Sequence, residues 1–399
     1  MGRAGPSEPI RATLWVIVAA ATLTVMAGAI LGPIVPRIAT SLGVSGTSAG
    51  LIVTTHGLFI VLLSPVAGSI IDRIGPRRPF LAGLVLYGIG GGAGLVLDSF
   101  LPLLASRAVL GIGVAFVYTS VTILIYDLYA GQAMDRALGL RSSANSAGAA
   151  VWPLVGGALG SVSWHLPFGI YLLALPLGLV ALFTIPDSAR GGRAQADGGG
   201  TETDGRGIVG VFRARPALPL VYVLYFGANT LLYAIVVFYP ALLEGVGVTS
   251  PFVVSLYLAA NGAAGAVSAV AYDRLKRRFG AHLLVVAAFV MWAVGLGATT
   301  VVETAPGAVP TVVLFGLGLG LVFPSAFAWV ESLAPDDRQG QFSSYVASAG
   351  YLGQFVAPVL FGPLVPLLGV ASVFAVGGAV AGIGALALGG ALLRGSGVT

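Results

Sequence analysis

Twelve apolar stretches run through this chain, at about residues 14–38, 47–71, 79–97, 101–127, 137–160, 165–185, 217–240, 250–271, 281–302, 308–331, 341–362 and 370–392. Each is close to the roughly 20 residues that a helix needs to cross the hydrocarbon core of a bilayer. Lipid offers no partner to a backbone N–H or carbonyl, so an open chain of many such segments must satisfy each one internally, as an α-helix. The predicted fold class is an all-α membrane protein with twelve transmembrane helices. Composition agrees, because 57% hydrophobic and 9% charged residues leave too little polar surface for a water-soluble fold of 399 residues. The 59 glycines would weaken soluble helices, but in lipid they let helix backbones approach one another.

The sequence also contains itself twice. Pro36, six residues and then Gly43-Val44-Ser45 recur as Pro240, six residues and Gly247-Val248-Thr249. Asp72-Arg73 and a basic run recur as Asp273-Arg274 with Lys276-Arg277-Arg278. Asp135-Arg136 leading to Ser142-Ser143 and Ser146-Ala147-Gly148 recurs as Asp337-Arg338 leading to Ser343-Ser344 and Ser348-Ala349-Gly350. Offsets of 204, 201 and 202, in one order, mean a duplicated half. In a chain this apolar, a repeated half points to a transporter. The expected organisation is an N-terminal six-helix bundle over 1–185, a polar cytoplasmic linker over 186–215 and a C-terminal six-helix bundle over 216–399, the two bundles pseudo-symmetric. The linker holds Gly191-Gly192, Gly198-Gly199-Gly200, Asp197, Glu202, Asp204 and Arg206, too polar to fold alone.

The net charge of +5 does not imply nucleic acid. With a cytoplasmic N-terminus, 18 of the 20 Lys and Arg fall on the cytoplasmic side, leaving Arg37 and Arg107 elsewhere. The basic residues orient the chain, with both termini cytoplasmic. There is no cysteine, hence no disulfide. The first span is too long for a signal-peptide core, and it is kept as a mature helix.

Between spans two and three lies Gly68-Ser-Ile-Ile-Asp72-Arg73-Ile-Gly75-Pro76-Arg77-Arg78. This segment resembles the loop signature of the major facilitator superfamily: a Gly, three residues, Asp-Arg, then a Gly and a basic pair. In the second copy, Ala269 stands at the first glycine and the internal glycine is lost. One reading of these charges is topology alone. The other is a switch: Asp127, at the cytoplasmic end of span four, can pair with Arg73, Arg77 and Arg78, and Asp72 can sit at a helix N-terminus. The resemblance implies that second role, a latch between the halves. Asp72, Arg73, Arg77, Arg78 and Asp127 are the gating candidates, with Asp273, Arg277, Glu331 and Arg338 as the weaker copy.

Arg107 with Gly111 and Gly113 in span four resembles the superfamily's second signature. An ionised group about two turns inside a span is costly unless it faces a cavity or a partner, or snorkels to the surface. Gly111, Tyr118, Thr122 and Tyr126 share its helical face, which favours a cavity. Span five carries Gly148, Pro153, Gly156 and Gly157, resembling the superfamily's antiporter signature and its helix kink. Trp152 stands where that signature has a glycine.

Other polar groups near mid-membrane are His56, Asn145, Asn261, Gln354 and a stripe of Tyr222, Tyr225, Asn229 and Tyr233. The stripe fits interhelical packing or substrate contact equally. In the resembled fold span seven lines the cavity, which tips Tyr225, Asn229 and Tyr233 toward function. His56 is either packed and neutral or a cavity group that titrates near neutral pH. No Asp or Glu lies in the middle third of any span, so the cavity suits neutral or anionic solutes better than cations.

An intramembrane enzyme is disfavoured, because His56, His165 and His282 cannot converge on one metal and no Gly-x-Ser-x-Gly or His-x-x-x-His pattern occurs. ATP-driven pumping lacks a phosphate-binding Gly-x-x-x-x-Gly-Lys loop. A non-transporting scaffold would not need a switchable charge network. The function expected is secondary transport of a small organic solute by alternating access, as proton-coupled efflux; the alternative is uptake of a small organic anion or sugar-like solute. Expected partners are a small-molecule substrate, protons as coupling ion and the bilayer, with no cofactor, metal or nucleic acid, in a monomer of the cell membrane.

Overall fold

The computed structural model describes residues 8–186, 208–335 and 338–393. Helices lie over all twelve predicted spans, and no strand occurs among the described residues. In order they are α1 (Glu8–Ala29), α2 (Val35–Leu42), α3 (Gly46–Ile74), α4 (Arg77–Gly92), α5 (Phe100–Leu128), α6 (Gln132–Val162), α7 (Leu166–Gly169) and α8 (Ala174–Thr184). Then follow α9 (Ile208–Ala214), α10 (Ala217–Gly245), α11 (Pro251–Phe279), α12 (Ala281–Ala298), α13 (Ala305–Leu333), α14 (Gln339–Phe361), α15 (Leu364–Leu368) and α16 (Ala371–Leu393). Among the described residues, ten segments are long and apolar enough to cross a membrane. The other two predicted spans are α4, short at 16 residues, and α6, whose first turns carry Asp135, Arg136 and Arg141. This is a multi-pass membrane protein.

The duplication is visible in the helix ends. α3 and α11 start and stop 205 residues apart, and so do α5 and α13. Gly75, at φ +79°, turns the chain out of α3, and Gly280, at φ +77°, turns it out of α11. The second copy therefore keeps its turn glycine, which corrects the expectation of a loss: it follows the basic run instead of preceding it. Left-handed backbone is why glycine occupies both places.

The described residues fall into two compact units, one drawn from Met1–Leu31 and Thr55–Thr201, the other from Gly32–Thr54 and Glu202–Thr399. In the first, α4 and α5 cross at Gly83, Gly90 and Gly113, where a methyl group would strike backbone of the facing helix. Close backbone approach of this kind is how helices associate where no hydrophobic force drives them together. Tyr87 of α4 and Tyr171, in the turn between α7 and α8, donate to the carbonyls of Leu23 (2.5 Å) and Ala27 (2.8 Å), tying both segments to α1.

The second unit repeats the scheme. Gly295 and Gly318 seat α12 on α13, with the Trp292 indole donating to the Phe315 carbonyl at 2.9 Å. Residues 32–54, expected in the first bundle, pack within this unit, Gly32 against Val236 and Leu258 and Gly50 against Val237 and Pro358. Small residues let that backbone close on the valines. Most of the predicted linker lies outside the described residues, as does Asp337, but its end is α9. There Val211 and Phe212 pack on Tyr222 and Phe342, so the apolar tip of the linker belongs to the bundle.

Candidate functional site

Arg107 sits in a sealed seat. It is fully buried, its Nη2 donates to the carbonyls of Gly90 (3.1 Å) and Gly91 (2.7 Å), and its guanidinium lies over the rings of Phe168 (5.1 Å) and Tyr171 (4.8 Å). Nε and Nη1 find no hydrogen-bond partner among the described residues. Carbonyl dipoles and ring faces replace water around the charge, in place of a carboxylate. The expected cavity position is corrected accordingly, because the missing side chains of Gly90 and Gly91 draw the guanidinium into the packing of α4 and α5.

Lower on α5 the same face meets different neighbours. Tyr118 and Thr122, both half-buried, receive Arg141 from α6: its Nη1 donates to the Thr122 hydroxyl at 2.9 Å and its guanidinium lies 5.1 Å from the Tyr118 ring centre. Thr122 in turn donates to the Tyr118 carbonyl at 3.2 Å, which fixes its oxygen as an acceptor for the arginine. One turn along α6 stands Asn145, also half-buried, its Oδ1 without a hydrogen-bond partner among the described residues. Sequence reasoning missed Arg141 by counting it among the topology-setting cations. Its place four residues inside the predicted span, one turn before Asn145, was the available signal.

In the second unit, Asn229 donates to the Tyr225 carbonyl at 2.9 Å and accepts from Gln354 Nε2 at 3.3 Å, joining α10 to α14. Tyr225 packs its ring on Phe323 (4.9 Å) and Phe327 (5.6 Å) of α13. Those two phenylalanines stand 205 residues after Tyr118 and Thr122, so the duplicated position is polar and cationic in one unit and aromatic in the other. Tyr233 is buried on α10. We expect a double-mutant cycle on Asn229→Ala and Gln354→Ala to give a coupling of about 0.5–1.5 kcal/mol in thermal unfolding, in line with hydrogen bonds between helices in lipid. A coupling near zero would show that the two amides act separately.

His56 and Asn261 are buried at equivalent helix crossings. Gly111 of α5 lies on the backbone of His56, and Gly316 of α13 lies on that of Asn261, again 205 residues on in both partners. Packing accounts for their burial. Among the described residues there is no group of three or more His, Cys, Asp or Glu that could hold a metal ion.

The sequence profile of the Major Facilitator Superfamily matches residues 17–358 and 250–396. The chain belongs to that superfamily. Over 388 residues it is 26% identical to the multidrug efflux protein YfmO of Bacillus subtilis (strain 168), covering 94% of this chain and 92% of that protein. It is 32% identical over 157 residues to multidrug resistance protein 1 of the same organism, 38% of this chain and 40% of that protein. The crystal structure of a D-xylose–proton symporter shares the fold, with a TM-score of 0.77 at 16% identity over 95% of this chain and 97% of that one.

The residues that resemble the superfamily's loop signature stand where α3 ends and α4 begins: Asp72, Arg73 and Arg78 are exposed, while Arg77 is drawn in and donates to the Leu182 carbonyl at 2.6 Å. Asp127 is half-buried at the end of α5. In the second unit Asp273, Arg277 and Glu331 are exposed and Arg338 is half-buried. Structurally, Asp273 precedes the helix end by one turn more than Asp72 does. The superfamily's kink residues lie in α6, which continues through Pro153. Gly148 is covered by Trp152, whose indole donates to the Thr22 carbonyl at 3.0 Å, and Gly156 meets the Ile30 carbonyl; Gly157 is buried.

Proposed function

We propose that this superfamily transporter exports a small organic solute against its gradient, coupled to proton entry, by alternating access. The observation that carries the reading is the likeness to a multidrug efflux protein along nearly the whole of both chains. In span five Pro153, Gly156 and Gly157 fit the antiporter signature, while Trp152 departs from it, so the direction rests on the efflux relative. Solute contact is assigned to Tyr118, Thr122 and Asn145 in the first unit and to Tyr225, Asn229, Tyr233 and Gln354 in the second. Arg107, His56 and Asn261 hold helices together. Asp72, Arg73, Arg77, Arg78 and Asp127, with their second-copy counterparts, form the conformational latch. The distribution of Lys and Arg supports a topology with both termini in the cytoplasm.

The test uses inside-out membrane vesicles containing the full chain. A neutral lipophilic dye should accumulate in the lumen when the lumen is acidified, and a protonophore should abolish the accumulation. Accumulation indifferent to the protonophore would overturn proton coupling. Movement of solute only out of such vesicles, following the proton gradient, would replace export with uptake.

A further inference from the structure

Arg141 lies inside a predicted span, partly open, and no ion pair with an acid holds it among the described residues. Its guanidinium touches Tyr118, which lies ten residues from the Leu128 end of α5, or ~15 Å along the helix axis. Snorkelling would carry the side chain toward the nearer end of α6. Instead it crosses to α5, held by the Thr122 hydroxyl at 2.9 Å and the Tyr118 ring. Those two contacts leave several of the five N–H donors of a permanently charged group unused. An arginine that serves only packing is surrounded, as Arg107 is. One that serves only topology is solvated at the membrane edge, as Arg73 is.

Asn145 supplies the second, independent observation. It projects from α6 one turn after Arg141, on the same face, and its buried Oδ1 lacks a protein partner among the described residues. An unsatisfied buried acceptor is costly unless a ligand or water completes it. Beyond Asn145 the face continues with Gly148 and with Trp152, whose indole N–H is already engaged by the Thr22 carbonyl. The polar part of the face is thus two groups long: a guanidinium offering N–H donors to an anion, and one turn away a carbonyl oxygen asking for a donor.

The geometry points to an anion-recognition subsite, in which Arg141 binds the carboxylate, sulfonate or phosphate of a small organic anion and Asn145 accepts a hydrogen bond from a neighbouring hydroxyl or N–H of the same molecule. Thr122 and Tyr118 position the guanidinium. This rests on the transporter reading and narrows its substrate class from a small organic solute to a hydroxylated or amino-bearing organic anion.

Equilibrium binding of radiolabelled salicylate to the purified full chain tests it, with uncharged methyl salicylate as competitor. Salicylate should bind, and the ester should compete at least about tenfold more weakly, since it lacks the charge that strengthens guanidinium hydrogen bonds. Arg141→Gln should lower salicylate affinity by roughly tenfold or more and erase the preference over the ester, with Arg141→Lys in between, because a point charge keeps attraction but loses the planar fork. Asn145→Ala should weaken salicylate but not benzoate, which has no hydroxyl. Arg213→Gln, an exposed charge change on α9, should leave binding alone. Should Arg141→Gln fail to fold, the ester preference of the unaltered chain and the Asn145→Ala comparison decide.

Equal binding of acid and ester, undiminished binding in Arg141→Gln, or no salicylate binding by the unaltered chain would each overturn the subsite. The vesicle assay with the neutral dye separates this failure from that of the transport reading. A chain that pumps the dye and ignores salicylate is a transporter without an anion subsite.

Discussion

Gly156→Val yields no stable, monodisperse protein. The carbonyl of Ile30 on the chain segment after α1 occupies the space that a Cβ at position 156 would need, and that obstacle is backbone, which cannot turn aside as a side chain would. Inserting a branched side chain there forces α6 away from α1, at a cost above the roughly 1–3 kcal/mol of ordinary overpacking. It also strips Trp152 of its bond to Thr22. Gly139→Val on the same helix meets nothing within 4 Å and serves as the control for helix propensity alone. Size-exclusion profiles and melting temperatures in detergent provide the measurement. If the 156 variant elutes and melts like the 139 variant, the tight crossing of α1 and α6 is not what holds this bundle.

Arg107→Ala is the second large effect. Truncation empties a fully buried site walled by Phe168 and Tyr171 and removes two charge-assisted hydrogen bonds. The expected loss is on the order of 3 kcal/mol or more. Arg107→Met, which refills the volume without a charge, should recover a substantial part, because a desolvated cation in an apolar seat contributes less than its contacts suggest. Arg107→Lys should do worse than methionine, since an ammonium cannot lie flat on two rings while bonding two carbonyls. A melting temperature of the alanine variant within a degree of the unaltered protein would refute the structural assignment and return Arg107 to solute binding.

Why the sequence led to Arg107 and past Arg141 has a physical explanation. Hydropathy and periodicity report how much of a helix meets lipid, and on that basis all twelve helices were legible, α6 included despite its charged start. Periodicity also put Arg107, Tyr118 and Thr122 on one face. What it could not supply is the neighbour at each height along that face, which depends on where glycines let another helix come close. Gly90 and Gly91 are remote in sequence from Arg107, and Arg141 is an ordinary basic residue until α5 is placed beside it. The duplication was legible from short motifs, yet the offset read from Asp72 and Asp273 is one helical turn from that of the packed helices. Acidic-basic pairs at a helix end can slide by a turn without disturbing the core. A glycine that must accept left-handed backbone, like Gly75 or Gly280, cannot.

The paired crossings at His56 and Asn261 bear on how such a chain diversifies. In each, a glycine of one helix rests on the main chain of the other residue, and at Asn261 the side-chain Oδ1 lies against the glycine as well. Imidazole chemistry is not required to make the first joint. Duplication thus left two matching crossings, one of which needs only main chain from its polar residue while the other has come to use the side chain too. Exchanging them, His56→Asn together with Asn261→His, would therefore disturb the second joint more than the first.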